Sequence, residues 1–321
     1  MKSIRRVNSI RQVSSIRQVN STRKSIVLLT SGTRGDVLPY IALGKGLQET
    51  GYQVRVALHR GHEGMAEAGG LAYAVLEGNP SELLMQPEHS AALAASGDWL
   101  RTLFASLRFL RMARPLYERM LVSAWQACQG ADAVAVGLPT TWGAHIAEAL
   151  GIPCLWCFLQ PFSRTRRFPS ALLPARRSLG TGYNWLTHRI SEQVLWQPWR
   201  VLINRWRHDT LHLPVAPLSG PFDRMYGGGE TAVYGFSPRV VPRPPDWPEN
   251  HVITGYWFID GLHSWIPPAA LVPFIEAGSP PLYVGFGSPG LRQTLESLEV
   301  IQQALGTSGL RAVMSLPEVV I

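Results

Sequence analysis

Residues 25–59 read SIVLLTSGTRGDVLPYIALGKGLQETGYQVRVALH, and this stretch decides the fold. SIVLLT (25–30) is a short β-branched apolar run of the kind buried in a sheet. SGTRGD (31–36) follows as a turn. VLPYIALGKGLQETG (37–51) carries apolar residues at helical spacing and ends on Gly51, a helix-stop signal. YQVRVALH (52–59) alternates like a strand. Strand, helix and strand in so short a space make a βαβ unit, the mark of a parallel sheet with helices on its faces.

The rhythm continues outward. A Leu-, Met- and Arg-rich segment (98–129) reads as a long helix, ADAVAVGLP (131–139) as a strand, TTWGAHIAEALG (140–151) as a helix and IPCLWCFLQ (152–160) as a strand. A Trp- and Arg-rich helical region spans 183–211. TAVYGFS (231–237) and VITGYW (252–257) are further strands, separated by the Pro-rich VVPRPPDWPEN. After a linker, PPLYVGFGSPG (280–290), LRQTLESLEVIQQALG (291–306) and LRAVMSL (310–316) begin a second βαβ unit. The expected division is a basic tail (1–24), an α/β domain with a doubly wound parallel sheet (25–262), a linker (263–279) and the incomplete start of a second Rossmann-like domain (280–321).

The net charge of +8 over 321 residues belongs to the tail. Lys2, Arg5, Arg6, Arg11, Arg17, Arg23 and Lys24 account for seven positive charges, with no acid before residue 25, so the remainder is near +1. A nucleic-acid footprint needs a basic face on the fold itself and is not indicated. The tail repeats SIRRVN, SIRQVS, SIRQVN; apolar residues every third position spiral around a helix without forming a stripe. A solvated basic tail and a weak tether to anionic membrane are both open. No run reaches about 18 apolar residues, and the N-terminus has no apolar core of a secretory signal. Three cysteines give no disulfide framework and fit a reducing, cytoplasmic setting.

In an open α/β sheet, ligands bind beyond the carboxyl ends of the strands. Two strand-to-helix turns meet that criterion. In Ser31-Gly32-Thr33-Arg34-Gly35-Asp36, Gly32 and Gly35 allow tight backbone and are candidates for donor binding, since the helix start offers free N–H groups. The dinucleotide pattern GxGxxG is absent, which argues against a nucleotide-dependent oxidoreductase. Asp36, the turn's only carboxylate, reads as a helix N-cap with Pro39 in the first turn, as a general base for a hydroxyl, or as both. The second turn, 285–290, suits a diphosphate, with Gly287 and Ser288 closest, or is a plain tight turn. Arg34, His59, His145 and Arg164 are candidates for an acceptor pocket, although a buried structural histidine is the commoner case. Cys154 and Cys157, three apart in a strand, point to opposite faces and make a poor metal or redox pair. Arg164, Arg166, Arg167, Arg176 and Arg177, followed by Trp185, Trp196, Trp199 and Trp206, suit either a lipid headgroup interface or a core with solvated arginines.

Taken together, the motifs resemble glycosyltransferase family 28, and within it the sterol 3β-glucosyltransferases. The resemblance rests on SGTRGDVLPYIALGKGLQETGYQVRVALH, HIAEALGIP, RTRRFP, INRWRHDTLHLP, YVGFGS and, most specifically, VYGFSPRVVPRPPDWPENHVITGYWF. It implies a GT-B fold and inverting transfer of a hexose, namely glucose, from a UDP-sugar to a sterol or other lipid hydroxyl without an obligatory metal. It further implies Asp36 as base, Gly287 and Ser288 near the donor diphosphate, acceptor choice by the N-terminal domain, and peripheral contact with membrane. Two departures stand out. Pro289 replaces the family's usual hydrophobic residue, and Ile321 ends the sequence before the family's HGGxGT loop and its later acidic-Gln element. The expectation is therefore a glycosyltransferase by ancestry whose donor site is incomplete within this sequence. The alternative is a lipid-binding module or a partner of a separate donor domain.

Overall fold

The computed structural model describes residues 23–80, 99–173, 179–226, 229–259, 266–285 and 291–315. Seven parallel strands form the main sheet: β1 (Ser25–Leu29), β2 (Gln53–His59), β3 (Ala72–Leu76), β4 (Ala133–Val136), β5 (Cys154–Phe158), β6 (Thr231–Tyr234) and β7 (His251–Ile253). Their order is β3-β2-β1-β4-β5-β6-β7. The chain thus winds one way from β1 to β3, returns, and winds the other way from β4. The reversal lies between β1 and β4, where such sheets open a crevice at their carboxyl ends.

The helices are α1 (Arg34–Glu49), α2 (Glu63–Ala68), α3 (Trp99–Ala127), α4 (Gly143–Leu150), α5 (Thr181–Trp196) and α6 (Arg200–Asp209). Both faces of the sheet are covered, as the unbroken apolar run of β1 requires. Ile26 and Leu28 pack in one cluster with Val37, Tyr40 and Ile41 of α1. Val27 and Leu29 pack in the other, with Met120, Leu121 and Ala124 of α3. Cys154 and Cys157 fall in different clusters, so the strand does separate them, and burial raises both thiols, Cys157 to about 12.

Three local readings change. Thr33, not Asp36, is the N-cap of α1, and Pro39 lies in the second turn rather than the first. The helical region 183–211 is two helices, broken at 197–199: Gln197 keeps helical dihedrals and bonds Gln193 O, and Pro198 then has no backbone N–H with which to continue the ladder. Finally, α2 and β3 appear between β2 and α3, in a stretch whose Gly-rich text signalled neither.

Past residue 265 come α7 (Leu271–Glu276), β8 (Leu282–Gly285), α8 (Leu291–Ser308) and β9 (Ala312–Ser315). β8 and β9 pair in parallel, so this segment is the expected βαβ unit. Gly287 and Ser288 lie outside the described residues, as do Arg176, Arg177 and the first 22 residues. Among the described residues no helix is long and apolar enough to cross a membrane.

Candidate active site

β1 delivers the chain to the crevice at Thr30. Thr30 and Ser31 are buried, and Gly32 then turns with φ +126°, a value only glycine adopts readily. Thr33 caps α1, and Asp36, at its third position, folds back over the turn. Asp36 Oδ2 accepts the Thr33 backbone N–H at 2.8 Å and the Thr33 hydroxyl at 3.1 Å. A Cβ on Gly32 would overlap Oδ2 and sit 2.7 Å from the carboxyl carbon. Gly32 is therefore the space in which the carboxylate rests. Every hydrogen bond to this carboxylate among the described residues falls on Oδ2, and the side chain is half-buried. Oδ1 is left to an incoming group.

The turn is braced from β2. His59 is 1% exposed. Its Nδ1 lies 3.1 Å from the Leu76 carbonyl, which can only accept, so Nδ1 carries the proton and Nε2 accepts the Ser31 hydroxyl at 2.8 Å. His62 Nε2 donates to the Gly32 carbonyl at 3.2 Å. A second brace comes from β4. The Thr140 hydroxyl donates to Leu29 O at 2.9 Å and accepts the Gly137 N–H at 2.8 Å, tying the turn after β4 to the end of β1. One helical turn beyond Asp36, the Tyr40 hydroxyl donates to Cys157 O at 2.5 Å. Burial, then the neighbouring Cys157 and Asp36, raise its pKa well above the usual phenol value. Trp257 meets Tyr40 edge-on, ring centroids 6.0 Å apart, and lies so close to Gly235 that a Cβ there would be 2.9 Å from the indole. The most specific motif of the sequence thus packs against the helix that carries Asp36.

The other acceptor candidates divide. Arg34 is exposed on the first turn of α1, beside Asp36. Gly35 is exposed and helical, with only the Thr33 hydroxyl, at 3.7 Å, within reach of a Cβ. His145 is buried on α4, its Nδ1 2.7 Å from Arg207, which also holds Glu148 in a two-pronged pair. Arg164 grips the fully buried Glu192 through two bonds of 2.6 and 2.8 Å and also bonds Asp223 at 2.6 Å. The structure commits His145 and Arg164 to these packed networks and does not bring them to the Asp36 turn. Ser31, Thr33, His62, Tyr40 and Trp257 had escaped notice as site residues. Serine or threonine flanking a glycine turn, with histidines ending the next strand, was the one signal available.

A doubly wound parallel sheet of this kind is the fold of the N-terminal half of GT-B proteins. Solved glycosyltransferases share this architecture. Streptomyces sp. SF2575 SsfS6 superposes with a TM-score of 0.51 at 16% identity, covering 92% of this chain and 69% of that one. SnogD from Streptomyces nogalater gives 0.52 at 18%, covering 94% and 69%. More narrowly, residues 26–169 match the glycosyltransferase family 28 N-terminal domain. The sterol 3-beta-glucosyltransferase of Cryptococcus neoformans var. neoformans serotype D (strain JEC21) is 36% identical over 300 residues, 90% of this chain and 18% of that protein. The Yarrowia lipolytica enzyme of the same name is 39% identical over 271 residues, 81% and 17%. The chain shares its descent with these proteins, and it spans less than a fifth of their length.

Proposed function

We propose that this chain supplies the acceptor half of an inverting transfer of glucose from UDP-glucose to the hydroxyl of a sterol or similar lipid. Asp36 takes the proton from the acceptor hydroxyl. That oxygen bonds to the anomeric carbon as the bond from the same carbon to the diphosphate breaks, and the UDP leaves with the electron pair. The observation that carries the reading is the Asp36 carboxylate, held at the switch point by Thr33 through one oxygen with the other left available. An aspartate at a helix start is a weak base, so fixed geometry supplies most of its effect. No step here needs a metal, and transfer is expected to persist in EDTA. Gly287 and Ser288 are the residues assigned to the donor diphosphate. A lipid acceptor reaches such a site from a bilayer, so peripheral membrane contact is part of the same reading.

The test is transfer of labelled glucose from UDP-glucose to a sterol, with and without Asp36→Asn. Transfer that falls with the substitution supports the proposal; transfer indifferent to it removes Asp36 from the chemistry. A second reading, a module that holds the lipid and docks on a separate donor domain, is favoured by the exposed Leu282, Tyr283 and Val300 of the βαβ segment. Saturable sterol binding with neither nucleotide binding nor transfer would select it.

A further inference from the structure

Helix α5 is inside out. Its inward positions Asn184, Thr187, His188, Ser191 and Glu192 are polar and at most 3% exposed, while Leu186, Ile190 and Val194 face outward at 50%, 44% and 58%. A surface helix ordinarily buries its apolar stripe and wets its polar one. Here the polar stripe is bonded to the loop 162–170, with the Asn184 Oδ1 left unpartnered among the described residues. Asn184 donates to Arg166 O, the Thr187 hydroxyl accepts the Ser170 N–H, His188 meets Phe162 O and Phe168 O, and Glu192 holds Arg164. The inversion is therefore built in, since turning the helix over would strand Glu192 and its partners. Outside, Leu186, Ile190, Val194 and Pro198 line a shallow groove of about 630 Å³. Val201 on α6 and Leu218 extend the apolar surface at 69% exposure each. Trp185, 39% exposed, stands at the edge with Arg189 6.0 Å from its ring centroid.

The charges around this stripe are mainly basic: Arg189 in the groove is paired with Asp223, the exposed Asp246 accepts the Arg166 backbone N–H, and arginines outnumber both acids. Arg166 and Arg167 lie on the loop bonded to the start of α5, and Arg200 and Arg205 lie on α6 just past its end. Arg166, Arg167 and Arg205 are exposed and Arg200 half so, and none of the four enters an ion pair among the described residues. Apolar side chains flanked by arginine and a rim tryptophan match the boundary between acyl chains and anionic headgroups. A second copy seated on the same face would bring arginine against arginine, which disfavours self-association. We propose that the outer face of α5, with the start of α6, is the surface by which this protein lies on an anionic lipid bilayer. The inference deepens the membrane contact of the function proposed above by naming its surface, and it does not depend on turnover.

The basic tail would also attract anionic vesicles, so the experiment must locate the contact. Cys128, Cys154 and Cys157 are all buried, which lets a thiol-reactive, environment-sensitive fluorophore be placed at Ile190→Cys or, as a control, at the exposed Val122→Cys of α3. The labelled full chains are mixed with vesicles of phosphatidylcholine and phosphatidylserine. Emission at position 190 is expected to rise and shift to the blue, to persist once salt is raised after binding, and to stay flat at position 122. Replacing Leu186, Ile190 and Val194 together by Gln should weaken sedimentation with these vesicles at high salt by tenfold or more, roughly the apolar area withdrawn, with the thermal melt unchanged. Vesicle binding with position 190 silent would assign attachment to the tail and overturn the proposal, as would no binding. A change at position 190 that follows protein concentration without lipid would make the face a contact between copies and overturn it equally. Loss of sterol transfer with vesicle binding intact would count against the function alone.

Discussion

Replacing Gly32 by Ala tests whether this glycine exists to make room for Asp36. The methyl group faces two separate penalties. At φ +126° any L side chain is strained, at a cost of about 1–3 kcal/mol. It also overlaps the carboxylate, with its carbon 2.7 Å from Asp36 Cγ, so the side chain must swing away and give up both bonds from Thr33. Losing such a cap costs about 1 kcal/mol. Gly32→Ala alone should therefore destabilise by roughly 2–4 kcal/mol, and Asp36→Ala alone by about 1. Because the carboxylate can be lost only once, the double variant should cost about what Gly32→Ala costs alone. The double-mutant cycle then closes with a coupling near 1 kcal/mol, measured from urea midpoints followed by tryptophan fluorescence. Distant, independent sites add within about 0.3–0.5 kcal/mol. Additivity at that level would show that the methyl never meets the carboxylate, and the account of the turn would fail.

Gly35→Ala, one turn residue away at an open helical position, should be neutral or stabilising by up to about 1 kcal/mol, which the same urea titration reads. Asp36→Asn keeps an oxygen for the Thr33 N–H, so stability should hold within about 0.5 kcal/mol while sterol glucosylation, measured with labelled donor, falls by about 10²–10⁴-fold. Arg164→Leu leaves the Glu192 carboxylate, 0% exposed, without its main partner and should cost about 3–5 kcal/mol in chemical denaturation; adding Glu192→Gln should recover part of it. His145 is held neutral chiefly by burial, with the Arg207 charge also opposing its protonation. A lowered histidine pKa means the unfolded chain takes up the proton first, so stability is whole above about pH 6.5 and is lost as pH falls from there through the folded value. Melting temperatures between pH 7.5 and 5 should decline, and decline less steeply in His145→Asn.

The sheet was legible because each strand carried its own sign. β1 is apolar at every position from Ile26 to Leu29, which demands cover on both faces, and the helix after it announces its end at Gly51. β3 was not legible: AYAVL is short, half-exposed along most of its length and enclosed by Gly69 and Gly70 on one side and Gly78 on the other. Its pairing with β2 is what makes it a strand, and pairing is a tertiary fact. Asp36 could be found as a chemical group but not placed within the helix, because an N-cap and a third-position carboxylate folded back on that cap look alike in one dimension.

The histidines and arginines were the least legible, for a physical reason. Residue type tells what bonds a side chain can make, whereas burial decides what it makes them to. His59 and His145 have equal exposure at 1%, yet one orders the Ser31 hydroxyl beside the Asp36 turn and the other is pinned between Arg207 and Trp196. Arg164 looked like a ligand for an acceptor, but its carboxylate partner Glu192 comes from a helix whose inner face is polar from Asn184 to Glu192. The same inversion that took Arg164 away from the crevice left Leu186, Ile190 and Val194 facing outward. One arrangement of α5 thus explains both a lost pocket residue and an apolar surface, which is why Arg164→Leu and vesicle binding at position 190 probe the two faces of a single element.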